Sequence, residues 1–156
     1  MATVVSGVYS FLDVQASFSG NGGSFDIASS GVSDEAIRIT LAASKNTMII
    51  GANGDGMHSL KATRAVRITI SLLKTGRGNA LMNQMYETQA ISSAYWGNNM
   101  LVVTNPVSGD VVTASGGAFD KHTDIGYSTE AGLNVWAMDF VNASIVLGNG
   151  LQLTGL

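Results

Sequence analysis

Residues 64–74 read RAVRITISLLK, and in that stretch Val66, Ile68, Ile70 and Leu72 alternate with Arg67, Thr69 and Ser71. Strict alternation places the apolar set on one face of an extended chain and the polar set on the other. EAIRITLAA (35–43) has the same grammar, with Ile37, Ile39 and Leu41 against Arg38 and Thr40. Two such strands belong to a sheet with one packed side and one wet side. Around them stand nineteen glycines against one proline, and the turn clusters recur roughly every ten residues, as in a mainly β domain.

Other segments follow suit. GVYSFLDVQASFS (7–19) alternates with a slip near Leu12 and Asp13, GNGG (20–23) makes a turn, and SFDIAS (24–29) returns as a hairpin partner. WGNNMLVVTN (96–105), PVSG (106–109) and DVVTASGGAFDK (110–121) predict a second hairpin. NVWAMDFVNASIVL (134–147) alternates with Trp136, Met138 and Phe140 on one side. GNALMNQMYETQAI (78–91) is the one stretch with helical spacing. Leu81, Met82, Met85, Tyr86 and Gln89 form its packing stripe, Asn83, Gln84, Glu87 and Thr88 its polar side, and Thr75 or Asn79 its cap. A methionine stripe also suits a soft binding groove, but core packing is its commoner use. The expected fold is a single domain over 1–156, an antiparallel β-sandwich or barrel with one docked α-helix.

Composition bounds the function. Of 156 residues, 46% are apolar but only 12% are charged, about half the usual share. So thin a charge coat defends poorly against self-association and suggests surfaces covered by copies or partners. The net charge is −3, and the densest basic group is Lys61, Arg64 and Arg67. No patch for tight phosphate binding is visible. The chain has no cysteine, which removes disulfides and thiolate metal sites. The opening MATVVSGVYSF lacks a basic n-region, and no apolar run approaches the roughly 20 residues of a membrane span. A cytoplasm-like compartment, without a membrane anchor, is expected.

The nine residues GANGDGMHS (51–59) are the most site-like on paper. Asn53, Asp55 and Gly56 imitate the middle of a calcium loop, but Gly51 stands at the first acidic position and no glutamate follows. The spacing fits no dinucleotide fingerprint, and no GK[ST] occurs. GYSTE (126–130) departs from the nucleophile elbow at Glu130. His58 and His122 have no evident nucleophile or orienting acid, and no carboxylate pair for glycoside hydrolysis can be read. No catalysis, metal or cofactor is expected.

The stretches KNTMIIGANGDGMHSLKA (45–62) and SLLKTGRGNALMNQMY (71–86) resemble the small tail tube proteins of contractile-tailed bacteriophages. So do GVYSFLDVQASFSGNGGSFDI (7–27), SSAYWGNNMLVVTNPVSGD (92–110) and AFDKHTDIGYSTEAGLNVWAMD (118–139). The resemblance covers nearly the whole chain. It implies a virion protein, assembled in the host cytoplasm, whose hexameric rings stack into a hollow tube for genome delivery. Its implied partners are further copies of itself, a sheath around the tube, and a baseplate hub and a terminator at its ends. DNA passes through the lumen without tight binding.

It also implies that residues 44–62 form a protruding arm to the adjoining ring, with Met48, Ile49, Ile50 and Met57 as apolar contacts. Asn53-Gly54 and Asp55-Gly56 would turn that arm through positive φ, and His58 would be a polar interface residue. Arg38, Thr40, Arg67, Thr69 and Ser71 are candidates for the lumen wall or for bridges between subunits. The two arginines suit a DNA passage only if acids pair with them. Residues 148–156 read as a carboxyl-terminal arm. Two alternatives remain, the inner tube of a bacteriocin or contractile secretion particle and a carbohydrate-binding β-sandwich using Tyr95 and Trp96.

Overall fold

The computed structural model describes residues 7–27 and 32–148, with the backbone alone for 32–36. Seven strands make one antiparallel sheet: β1 (Gln15–Gly20), β2 (Gly23–Asp26), β3 (Val32–Leu41), β6 (Val66–Leu73), β7 (Asn99–Asn105), β8 (Asp110–Phe119) and β9 (Leu133–Val146). Their spatial order is β2-β1-β7-β8-β9-β6-β3. A separate two-stranded ribbon is formed by β4 (Asn46–Ile50) and β5 (Gly56–Leu60), and α1 (Gly78–Gln89) is the one α-helix among the described residues.

The sheet is curled. Ile37 and Ile39 of the edge strand β3 line a common hollow with Val103 of β7 and Val112 of β8, although three and four strand positions separate them. A flat sheet would hold such strands roughly 14–19 Å apart at normal strand spacing. The architecture is therefore the expected mainly β, sandwich-like barrel with a docked helix. Its core draws Phe18 from β1, Ile68 and Ile70 from β6, Leu101 from β7, Trp136 and Met138 from β9, and Met82 and Met85 from α1.

Alternation decides β6: Val66, Ile68, Ile70 and Leu72 are buried while Arg67, Thr69 and Ser71 face outward. In β3 the same reading holds for Ile37 and Ile39 but stops at Leu41, which is exposed where the strand leaves the sheet. The slip in the first segment is a 3-10 turn at Phe11–Asp13, whose Leu12 N–H donates to Ser10 Oγ at 3.2 Å. The strand proper starts only at Gln15. The turn into β2 requires a glycine twice over, because Gly22 has φ 103° and a Cβ there would press on Met85 and Thr88 of the helix.

Helix α1 buries Gly78, Met82, Met85 and Gln89, with Tyr86 half-buried. Leu81 is a correction to the predicted stripe: it stands on the outer side of the helix and is 37% exposed. The capping expectation also changes. Arg77 occupies the N-cap with no side-chain bond. Asn79 instead donates from Nδ2 to the carbonyls of Leu73 (2.8 Å) and Gly76 (3.4 Å), and its Oδ1 accepts from Trp136 Nε1 at 3.2 Å. Gln89 is wholly buried and exchanges two hydrogen bonds with Asn99, at 2.6 and 2.9 Å. That amide pair ties the end of the helix to the start of β7. Each amide satisfies the other where both side chains are buried.

Candidate assembly surfaces

The strands β4 and β5 pair Asn46 with Leu60, Met48 with His58, Ile49 with Met57, and Ile50 with Gly56. Residues opposite one another share a face. One face of the ribbon thus carries Met48, Ile50 and Leu60, and the other carries Ile49 and Met57. No face is covered: every residue from 42 to 62 is exposed. Leu60, inside the expected arm but not among its expected apolar contacts, is the most open of the ribbon's large apolar side chains at 85%. Two-stranded ribbons are marginal in water by themselves, and apolar side chains on both faces mark a surface awaiting a cover.

The tip explains GANGDG. Gly51 N–H donates to the carbonyl of Asp55 at 2.7 Å and Gly54 N–H to that of Gly51 at 3.0 Å. Asn53 bonds Asp55 twice, Nδ2 to the carboxylate at 2.8 Å and Oδ1 from the backbone N–H at 3.1 Å. The carboxylate that a metal would want is spent on holding the turn, and no cluster of potential metal ligands occurs among the described residues. Only Gly54 has positive φ, at 93°; the second expected glycine turn is absent because Gly56 already begins β5. At the base, the His58 ring lies 3.1–3.2 Å from the Asn46 amide, and Lys61 N–H closes on the carbonyl of Lys45 at 2.8 Å.

The polar faces of β3 and β6 come together in register. Arg38 stands opposite Thr69 and Thr40 opposite Arg67, and β9 continues the rows with Ala137 beside Thr69 and Asp139 beside Arg67. Ser71 lies one pair further on, facing Val135. The surface is made of short side chains around one charged cluster. Arg67 lies 2.8 Å from Asp120 and 3.6 Å from Asp139, so its charge is more than matched locally. The sequence did not announce those acids. Asp139 belongs to a recognisable alternating strand, but pairing with β6 is a long-range choice. Asp120 is brought close by the end of β8.

The remaining candidates are structural. His122 reaches Asn83 Oδ1 (2.8 Å) and the Thr123 carbonyl (2.9 Å) through its two ring nitrogens, and its ring packs on Tyr86 and Trp136. Among the described residues, the two rings are hydrogen-bonded to asparagine amides and a backbone carbonyl, and neither holds a hydroxyl nucleophile. Trp96 packs against Tyr86 in a T-shaped arrangement, with ring centroids 6.1 Å apart.

These surfaces stand on a chain whose family is recognisable. The sequence model described as Bacteriophage PhiTE tail tube protein matches residues 6–148. The chain belongs to that tail tube family. Membership makes it a structural component of the phage tail. Among curated protein sequences, none matches this chain. Among solved structures, it is similar to a chain of the anti-feeding prophage baseplate, six-fold symmetrised, at 15% identity and TM-score 0.54, over 96% of this chain and 98% of that one. It is also similar to a chain of the anti-feeding prophage tube terminating cap, at 12% identity and TM-score 0.54, over 95% and 96%. At such identities the likeness is one of fold, and it extends over nearly all of each chain.

Proposed function

We propose that copies of this chain form six-membered rings that stack into the hollow inner tube of a contractile phage tail, through which DNA is delivered. The observation that carries this reading is the β4–β5 ribbon, apolar on both faces and covered on neither, in a member of a tail tube family. In this reading the ribbon reaches the adjoining ring, and Met48, Ile49, Ile50 and Met57 are buried there. Arg38, Thr40, Arg67, Thr69 and Ser71 face the lumen. The doubly paired Arg67 supports that placement, since an arginine held by two carboxylates offers phosphate little. A sheath surrounds the tube, a baseplate hub starts it and a terminator ends it. The six-fold baseplate among the similar structures supports the ring size.

A second reading places the same tube in a bacteriocin or contractile secretion particle, which the anti-feeding prophage neighbours favour. Co-purification of DNA with the particle separates the two. The test of the tube itself is negative-stain electron microscopy of concentrated protein, alone and seeded with tail baseplates. Hollow tubes with six-fold end views are expected for the unaltered chain. The Ile49→Asp/Met57→Asp variant is expected to remain a folded monomer. Tubes from that variant would remove the ribbon from the interface, and absence of tubes from the unaltered seeded chain would remove the function.

A further inference from the structure

We propose that the tip of the β4–β5 ribbon seats in a hollow at the opposite end of a second copy's barrel, where Asp55 of the ribbon meets Lys74. The contact rests on the ring-stacking reading and names the surface that the ribbon meets in the adjoining ring. Strand β6 carries the two parts at its two ends. The ribbon precedes it, and its first pair with β3 is Val66 with Leu41. Its last pair with β9 is Leu73 with Leu133, and the next residue, Lys74, lines the hollow. Eight residues of strand hold the ribbon base and the hollow roughly 23 Å apart.

Such an arrangement favours a head-to-tail contact. A ribbon at one end and a seat at the other leave each joined pair with one of each still free, so the contact repeats along an axis. The ribbon's own barrel leaves residues 42–62 exposed, so a second molecule supplies the cover. Each strand of the ribbon has five residues, roughly 17 Å of reach.

The hollow has a volume of about 340 Å³ and opens between the start of α1 and the loop that joins β8 to β9, residues 120–132. Ala80, Ile125, Tyr127 and Trp136 give it apolar walls, and Asn79 and Asn83 stand among them. Ile125 and Tyr127 are exposed, Tyr127 at 87%. This end of the barrel therefore carries large apolar side chains that no described residue covers. Lys74 fastens the loop over the hollow. Its Nζ donates to the carbonyl of Gly126 and lies 4.0 Å from the centroid of the Tyr127 ring.

Charge selects the ribbon as the occupant. Among the described residues no carboxylate lines the hollow, and Asp124 of the same loop is set against Lys121 at 3.8 Å. A carbonyl and an aromatic ring orient the Lys74 ammonium but leave its charge unmatched. Asp55 is the one acidic or basic side chain between Lys45 and Lys61, with His58 neutral. It stands at the ribbon tip, where the hydrogen bond from Asn53 orients its carboxylate without cancelling the charge. Opposite charges facing one another across a contact steer encounter and fix register. Ile50 and Met57, exposed beside the tip, supply the apolar part of the fit to Ile125 and Tyr127.

Seeded growth of tubes from the unaltered chain, followed by light scattering, supplies the assay. Asp55→Lys and Lys74→Glu are each expected to slow growth at least tenfold, and the chain carrying both is expected to recover most of the loss. A double variant no faster than the single ones would overturn the pairing and the seat with it. Because Lys74 also holds the β8–β9 loop, cross-linking supplies a second readout. Met57→Cys and Ala80→Cys chains, in a protein otherwise without cysteine, are mixed, assembled and treated with a short thiol-reactive cross-linker. Covalent dimers are expected in the mixture and in neither chain alone. Tubes without dimers in the mixture would overturn the seat while leaving the tube in place. Dimers from Met57→Cys alone would overturn it in favour of ribbon-to-ribbon contact. No tubes from the unaltered seeded chain would instead remove the ring-stacking reading, and this contact with it.

Discussion

Strand β6 and the β4–β5 ribbon use the same kinds of side chain to opposite ends. Val66, Ile68, Ile70 and Leu72 are all at most 1% exposed, whereas Met48, Ile49, Ile50 and Met57 lie between 55% and 59%. The difference is one of neighbours. β6 has β3 on one side and β9 on the other, and the buried side chains of α1 share its core. β4 and β5 have only each other. Apolar alternation therefore says which way side chains point, and the surrounding elements decide whether anything meets them. In this chain one set completes the subunit and the other stays exposed, the set that the proposed reading buries in the adjoining ring.

That contrast can be broken by experiment. Trp136→Ala removes a wholly buried ring that packs on Phe119 and His122 and bonds Asn79. It should destabilise the subunit by about 3–5 kcal/mol, read as a shift in the urea midpoint. Gln89→Leu leaves Asn99 with no partner for its side-chain amide, and a loss of about 1–3 kcal/mol is expected. Gly54→Ala strains a positive φ in the ribbon tip. It should cost the ribbon about 1 kcal/mol and raise amide exchange over 46–60, while the urea midpoint of the barrel stays in place. A fall of that midpoint as large as that of Gln89→Leu would show that ribbon and barrel fold as one unit.

The smallest effect is expected at Arg67→Gln. Its ion pairs are about half-exposed, and surface pairs of this kind contribute up to about 1 kcal/mol. A larger loss would mean that the polar face, as well as the apolar one, holds the barrel together. Retention on a DNA column sharpens the same point from the other side. Asp120→Asn/Asp139→Asn should bind DNA more strongly at low salt than the unaltered chain, and the binding should vanish again when Arg67→Gln is added.

Much of the barrel was legible locally. The strand faces of β6 and β9, the β1–β2 hairpin and the helix over 78–89 follow from periodicity and turn residues, because those signals lie within a few residues of one another. The errors fell where a local rule met a long-range fact. Leu41 keeps the alternation of β3 but lies beyond the end of its cover. Leu81 fits a helical stripe whose buried sector proved narrower. Asn79 was expected to cap the helix and instead serves Leu73 and Trp136, residues that only folding brings to it. The carboxyl-terminal arm, apart from Gly148, lies outside the described residues.

By itself, the sequence determined a mainly β subunit with a thin coat of charge, a glycine-rich turn at 51–56, and no basic patch. Each of these is a property of neighbouring residues or of composition, so no partner strand is needed to read it. Tertiary structure alone decided that the sheet curls until β3 faces β7 and β8, that Arg67 meets two carboxylates, and that Gln89 finds Asn99. Those are pairings between positions 10 to 75 residues apart. Side-chain chemistry permits many such pairs, and only the closing of a common core selects among them.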